Sequence, residues 1–200
     1  TEIATVRMTT VDAAFEEAKV GRDTRICLLN FASYKDPGGM FMQGYMAQEE
    51  SLCHASVLYL VLASGRVMGM FYNKHGKMLN RALYHSDLLY SPDVLFFLQS
   101  EKKGRRFDVI ICAAPNKKAA QRYNGVSDGE VEQAMYHRID SILYAAWKEG
   151  AEVLILGAFG CGVFGNDLSS VSSQFKELLS GKYRGCFRRA GFAVPAERSS

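Results

Sequence analysis

Three stretches of the 200-residue chain carry residue types whose spacing allows chemistry. The densest is Gly157-Ala158-Phe159-Gly160-Cys161-Gly162-Val163-Phe164-Gly165-Asn166. It follows an apolar run of strand length and precedes a helical pattern, so bare backbone N–H groups and a helix N-terminus can face an anion. Gly160, Gly162 and Gly165 also satisfy G-x-G-x-x-G. That fingerprint, however, belongs early in a βαβ unit, with an acid about 20 residues downstream. Here the region near residue 185 is basic and at most one strand follows, so a nicotinamide-dependent dehydrogenase is the least favoured reading. A tight turn capped by Asn166 needs fewer than four glycines. An anion cradle is the better explanation.

The second stretch, Asn30–Glu50, is a polar, glycine-broken loop that leaves an apolar run and ends in Gln48-Glu49-Glu50 at a helix start. Acids there also suit the helix dipole or a capping arrangement, so the pattern alone leaves both readings open. Adjacent helical residues point about 100° apart, so the two glutamates cannot flank one bond as a glycosidase pair does. Any catalysis rests on a single carboxyl, and the other would hold the substrate. The third stretch, Ala113-Ala114-Pro115-Asn116, closes another apolar run; Asn116 is able to bond a ligand, but Pro-Asn reads first as an ordinary turn. His54, His75, His85 and His137 have no metal-ligand spacing, and neither metal nor cofactor is expected.

These stretches need a scaffold. Val11–Lys19 predicts a short helix ending at Gly21, Thr24–Phe31 a strand, and Ala47–Ala63 a helix resuming after Pro37-Gly38-Gly39. Leu88–Leu98 holds short strand pieces around Pro92, and Phe107–Ala114 and Val153–Phe159 read as strands buried on both faces. Between them Ser127–Lys148 is a long amphipathic helix with Val131, Met135, Ile139, Ile142, Leu143 and Ala146 on one stripe. A helix near Asn166–Leu179 and a final strand at Phe187–Val194 complete the pattern. Alternating strands and helices predict an α/β sandwich with a largely parallel or mixed sheet. Ligands in such sheets bind beyond the carboxyl ends of the strands, where all three stretches fall.

Composition narrows the class. Apolar residues make up 48% and charged ones 22%, with a net charge of +3, which fits a globular domain with an anionic ligand better than a dedicated nucleic-acid binder. The basic clusters Lys102-Lys103-Arg105-Arg106, Lys117-Lys118 and Arg184-Arg188-Arg189 read as solvated surface. Five scattered cysteines without a C-x-x-C pair favour a reducing, cytoplasmic setting. The longest apolar run, Val57–Ala63, falls short of the roughly 20 residues a bilayer requires, so no membrane partner is expected. Thr1–Val6 has no leader-like character, and without an initiator Met the sequence is expected to begin inside a longer one. One domain over residues 1–200 is expected.

The set Asn30-Phe31-Ala32-Ser33, Pro37-Gly38-Gly39, Ala47-Gln48-Glu49-Glu50-Ser51-Leu52, Ser91-Pro92-Asp93-Val94, Ala113-Ala114-Pro115-Asn116 and Gly157–Asn166 resembles, in this order, the bacterial-type poly(ADP-ribose) glycohydrolases. Their motif is three glycines, a short spacer and Gln-Glu-Glu, and the likeness spans nearly all of residues 10–195. The resemblance implies a three-layer α/β/α macrodomain-like sandwich with a mixed central sheet. It gives Glu50 the role of catalytic acid, and makes Glu49 and Asn30 ribose contacts. The loop of Gly160, Cys161, Gly162, Val163, Phe164 and Gly165 becomes the diphosphate cradle, with Phe164 against the terminal ribose. Ala32, Gly38, Gly39, Gln48 and Asn116 fall at further substrate-binding positions. Met40 replaces the third glycine, and its Cβ is expected to crowd the ribose or alter the backbone angles. The N-terminal helical part is also shorter than is usual in the family.

The resemblance implies hydrolysis of ribose–ribose bonds through an oxocarbenium-like state. Glu50, protonated and partly desolvated, would donate to the departing oxygen and then activate water. The implied partners are poly(ADP-ribose) or an ADP-ribosylated protein, with ADP-ribose as product. Removal of single ADP-ribose units from protein or nucleic acid is the first alternative, and a non-catalytic ADP-ribose-binding module the second. The oligomeric state is not legible.

Overall fold

In a computed structural model, residues 1–21 and 23–195 are described. In chain order the elements are β1 (Glu2–Val6), α1 (Thr10–Val20), β2 (Ile26–Phe31), α2 (Gln48–His54), α3 (Leu58–Leu62), α4 (Gly65–Val67), α5 (Asn73–His75), β3 (Leu89–Phe96), β4 (Arg105–Cys112), α6 (Lys117–Asn124), α7 (Asp128–Lys148), β5 (Val153–Leu156), α8 (Leu168–Ser180) and β6 (Arg189–Ala193). The sheet runs β1-β6-β5-β2-β4-β3, and only the β3–β4 pairing is antiparallel. The mixed α/β sandwich expected from the sequence is therefore present.

Alternation along the central strands builds the layers, because successive strand side chains point to opposite faces. Leu28, Val109, Ile111, Val153 and Ile155 meet α1, α2 and α3 on one face. Cys27, Leu29, Ile110, Cys112, Leu154 and Leu156 meet α7 and α8 on the other. Both faces are covered, so β2 is apolar from Ile26 to Leu29, with the buried Asn30 near its end. The carboxyl ends of β2, β4 and β5 consequently lie side by side, with Leu28 in register with both Val109 and Ile155. That adjacency brings the three chemistry-bearing stretches together.

Local differences from the sequence reading have local causes. The helix expected over Ala47–Ala63 is two helices, because Val57 N–H donates to Leu95 O and Phe97 N–H to Ala55 O, tying the break to β3. The pieces around Pro92 form one strand with a bulge, where the buried Asp108 carboxylate accepts Asp93 N–H at 3.0 Å and the Arg25 Nε–H at 2.6 Å. β5 ends at Leu156 rather than Phe159, since Phe159 N–H turns back to Gly157 O. Asp167, not Asn166, caps α8 by accepting Ser170 N–H at 2.7 Å. Pro115-Asn116 leads into α6, which was not anticipated, nor was β1 at the sheet edge. α7 begins on a full capping box between Ser127 and Glu130.

Candidate active site

Glu49 and Glu50 stand in the first turn of α2, 3% and 7% exposed. α2 has no side-chain cap of its own; Gln48 holds it instead. The Gln48 carbonyl oxygen accepts Phe31 N–H at 2.8 Å, while its amide donates to Leu29 O at 2.8 Å and Thr10 Oγ1 at 3.2 Å. Those bonds engage both ends of the side chain, so the fold uses Gln48 as a strut between α1, β2 and α2. Gln48 was expected at a substrate-binding position, and its three hydrogen bonds all go to the protein. The strut fixes where both glutamates emerge relative to the end of β2.

The two carboxyls then part in chemistry. Glu49 accepts Ser33 N–H at 2.6 Å and the Asn30 amide at 3.1 Å. Burial pushes its pKa up to about 8, against the pull of the Ser33 and Asn30 donors and with a further push from the Glu50 charge. Glu50 accepts Met40 N–H on Oε1 at 2.9 Å, and its Oε2 accepts no hydrogen bond from any described residue. Both converge on one backbone atom: a Cβ at Gly39 would lie 2.5 Å from Glu50 Oε1 and 3.2 Å from Glu49 Oε2. Gly39 also has φ of +59°, so two independent constraints demand glycine there. Gly38, with φ of +70°, turns the chain into this position.

Asn30 is fully buried at the end of β2, donating to Glu49 while its Oδ1 has no partner among the described residues. Ala32 N–H is taken by Asn30 O and Cys112 O, each at 3.0 Å, which leaves the Ala32 carbonyl and methyl as its possible contacts. Asn116, expected at a substrate-binding position, caps α6 through its Oδ1, which accepts Ala119 N–H at 3.1 Å.

The glycine loop lies across the end of the sheet from these groups. Asn166 stitches its base, donating to Gly160 O at 2.9 Å and Pro115 O at 2.8 Å. Gly160 has φ of +72°, and a Cβ there would meet Ala114 Cβ at 2.5 Å and Asn166 Nδ2 at 2.7 Å. Gly165, also at +72°, lies under the aliphatic stem of Lys118, whose N–H donates to Phe164 O. Within the loop, Cys161 N–H and Gly165 N–H are bonded, to Ala158 O and Gly162 O. Those of Gly160, Gly162, Val163 and Phe164 find no acceptor among the described residues. Aligned free N–H groups are an anion-binding feature. Lys118 adds a cation beside them that the sequence reading had assigned to solvated surface. Burial pushes the Cys161 thiol up, so it stays neutral.

Phe164 closes the site on one side against a column of rings. It meets Tyr84 edge-on at 6.1 Å; Tyr84 stacks on Tyr34 at 4.2 Å, and Tyr34 on His75 at 4.1 Å. Tyr34 and Tyr84 were missed from sequence because isolated tyrosines 50 residues apart carry no periodic signal. Among the described residues no group of His, Cys, Asp and Glu is arranged to hold a metal ion, and no helix is long and apolar enough to cross a membrane.

Comparison with known proteins decides the family. A family model for the microbial-type PARG catalytic domain matches residues 1–99. The structure is similar to poly(ADP-ribose) glycohydrolase from Thermomonospora curvata bound to the inhibitor ADP-HPD, with 34% identity and a TM-score of 0.90, covering 100% of this chain and 75% of that one. It is also similar to the Deinococcus radiodurans enzyme in complex with ADP-ribose, with 33% identity and a TM-score of 0.88, covering 98% and 78%. No curated protein shows a significant sequence match. The chain belongs to the microbial-type poly(ADP-ribose) glycohydrolases. For a member of this glycohydrolase family, Met40 is the informative departure. Its φ of −103° and ψ of 33° are open to any residue, and its side chain is 45% exposed. What position 40 supplies to the site is an N–H for Glu50, and methionine has one.

Proposed function

We propose that this chain hydrolyses the ribose–ribose glycosidic bonds of poly(ADP-ribose) and releases ADP-ribose, with Glu50 as the catalytic acid and base. The carrying observation is the contrast between the two glutamates. Glu49 is held on both oxygens by Asn30 and Ser33, whereas Glu50 is held on one oxygen only and keeps Oε2 for a reacting group. The ADP-ribose and ADP-HPD complexes of the relatives support a ligand of the same class here.

Protonated Glu50 donates to the oxygen of the departing ribose as the bond to the anomeric carbon breaks. The resulting carboxylate then takes a proton from the water that attacks that carbon, which restores the acid. Glu49, neutral over most of the physiological range, keeps the pocket from holding two adjacent negative charges. Its oxygens and the unpartnered Asn30 Oδ1 are placed to orient ribose hydroxyls. The free N–H groups of Gly160, Gly162, Val163 and Phe164, with Lys118 beside them, hold the diphosphate, and that remote binding orients the reacting sugar. Phe164 packs against the terminal ribose. The test is incubation of wild type and Glu50→Gln with labelled poly(ADP-ribose), with products resolved by length. Shortening of the polymer by wild type alone, with ADP-ribose binding retained in both, is the expected result; equal shortening by the variant would overturn the assignment.

A further inference from the structure

A cavity of about 330 Å³, with Tyr84 in its wall, opens between the segment 80–86 and α7. Its walls include Arg81, Tyr84, His85, Gln133, His137 and Arg138. The volume reaches the range of about 300–1,000 Å³ usual for small-molecule sites.

Arg138 makes this cavity unusual. It is 1% exposed, and its guanidinium donates only to neutral groups: Ala113 O, Leu83 O at 3.1 Å and Ser86 Oγ at 3.4 Å. A guanidinium keeps its charge, and a buried charge ordinarily has an ionic partner, because desolvation is costly without one. No carboxylate of the described residues contacts it. Glu130 is the carboxylate on the cavity wall, and it is already matched by Arg81 at 2.7 Å. Asp87 acts on Arg138 only through space and is itself bonded to Lys74 and His75, so the guanidinium has no carboxylate in contact among the described residues, beside a cavity whose rim, at Gln133 and His137, offers further donors.

The cavity is also coupled to the candidate active site by contact. Tyr84 forms part of its wall and also touches Phe164 and Tyr34. Tyr34 follows Ser33, whose N–H holds Glu49. Asn80, Arg81, Ala82 and Tyr84 all take left-handed conformations, with φ from 44° to 65°, which side-chain-bearing residues hold only where their surroundings enforce it.

We propose that this cavity binds a phosphate ester, with Arg138 as the buried counter-charge and Gln133 and His137 as donors at the rim. The same chemistry has two sources: the diphosphate of the neighbouring unit of poly(ADP-ribose), or a free phosphate or nucleotide. The first source rests on the glycohydrolase reading; the binding itself does not.

The test titrates inorganic phosphate into the full chain while ADP-ribose saturates the glycine loop, following the Arg138 Nε–H and His137 ring resonances by NMR. Saturable shifts are expected. Gln133→Glu, which adds a negative charge at an exposed position and leaves the Arg138 bonds in place, is expected to weaken them by about tenfold or more through like-charge repulsion. Absent saturation, or equal titration in the variant, overturns the proposal. A raised KM for labelled polymer in the variant, with phosphate competing against polymer in wild type, identifies the neighbouring unit as occupant. Retained phosphate titration with an unchanged KM assigns the site to free phosphate or nucleotide. A wild-type chain that releases no ADP-ribose from polymer would overturn the glycohydrolase reading alone, and the titration would still decide the cavity.

Discussion

Gly38-Gly39 and Gly160–Gly165 are both glycine turns at the carboxyl end of the sheet, and under the proposed function they serve opposite ends of a ligand. At Gly39 the missing side chain makes room for other groups: two buried carboxyls occupy the volume a Cβ would fill. At Gly160 and Gly165 the positive φ bends the loop, and the bend leaves four N–H groups unbonded. The first turn concentrates acid and proton donors, the second concentrates positive dipole. A sugar linked to a diphosphate spans that polarity. Not every glycine matters equally, since Gly162 has open space around its α-carbon.

The largest predicted effect attacks the carboxylate end. Glu50→Gln should lower the rate of polymer hydrolysis by about 10²–10⁴-fold, the range of a general acid–base, with the Kd for ADP-ribose changed little in a calorimetric titration. Gly39→Ala should follow, because its Cβ would displace Glu50 Oε1, and misplacement of a reacting group by about 1 Å costs on the order of 10²-fold. At the other turn, Gly160→Ala should weaken ADP-ribose binding by about tenfold, or about 1.4 kcal/mol, while Gly162→Ala leaves it nearly unchanged. Equal effects of the two alanines would erase the distinction between a shaped loop and an incidental one.

The next prediction concerns pH. Glu49 holds its proton to about 8 in the fold, against an ordinary value of 4.5, so across that window the native state binds more protons than the unfolded chain. Stability therefore falls as pH rises from about 4.5 to about 8. Glu49→Gln should flatten that decline, read as Tm against pH relative to wild type; parallel curves would mean that Glu49 does not titrate in this window. The smallest effect is expected for Met40→Gly, within about twofold in hydrolysis, because position 40 contributes its N–H at a negative φ and a surface change of this kind perturbs little.

Much of this was legible along the chain, and the exceptions share a cause. Largely apolar runs announced β2, β4 and β5, and a period-3.6 stripe announced α7. Gln48 and Asn116 were expected as substrate contacts from the family resemblance, and residue order does not show which neighbours such side chains also bind. Their hydrogen bonds run inward, to β2 and α1 and to the first turn of α6. The break between α2 and α3 was invisible because β3, some 40 residues later, creates it.

Residue order alone determined the layers, the two glycine turns and the pair of acids, since these follow from local periodicity and from conformations that only glycine accepts easily. Tertiary structure decided which acid is free. The neighbours that distinguish Glu49 from Glu50 come from β2, from Ser33 and from Met40, and only parallel pairing of β2 with β4 and β5 brings those groups, Lys118 and the buried Arg138 to their places. Hydrogen bonding and desolvation depend on what lies within a few ångströms, and the order of residues along a chain does not record that distance.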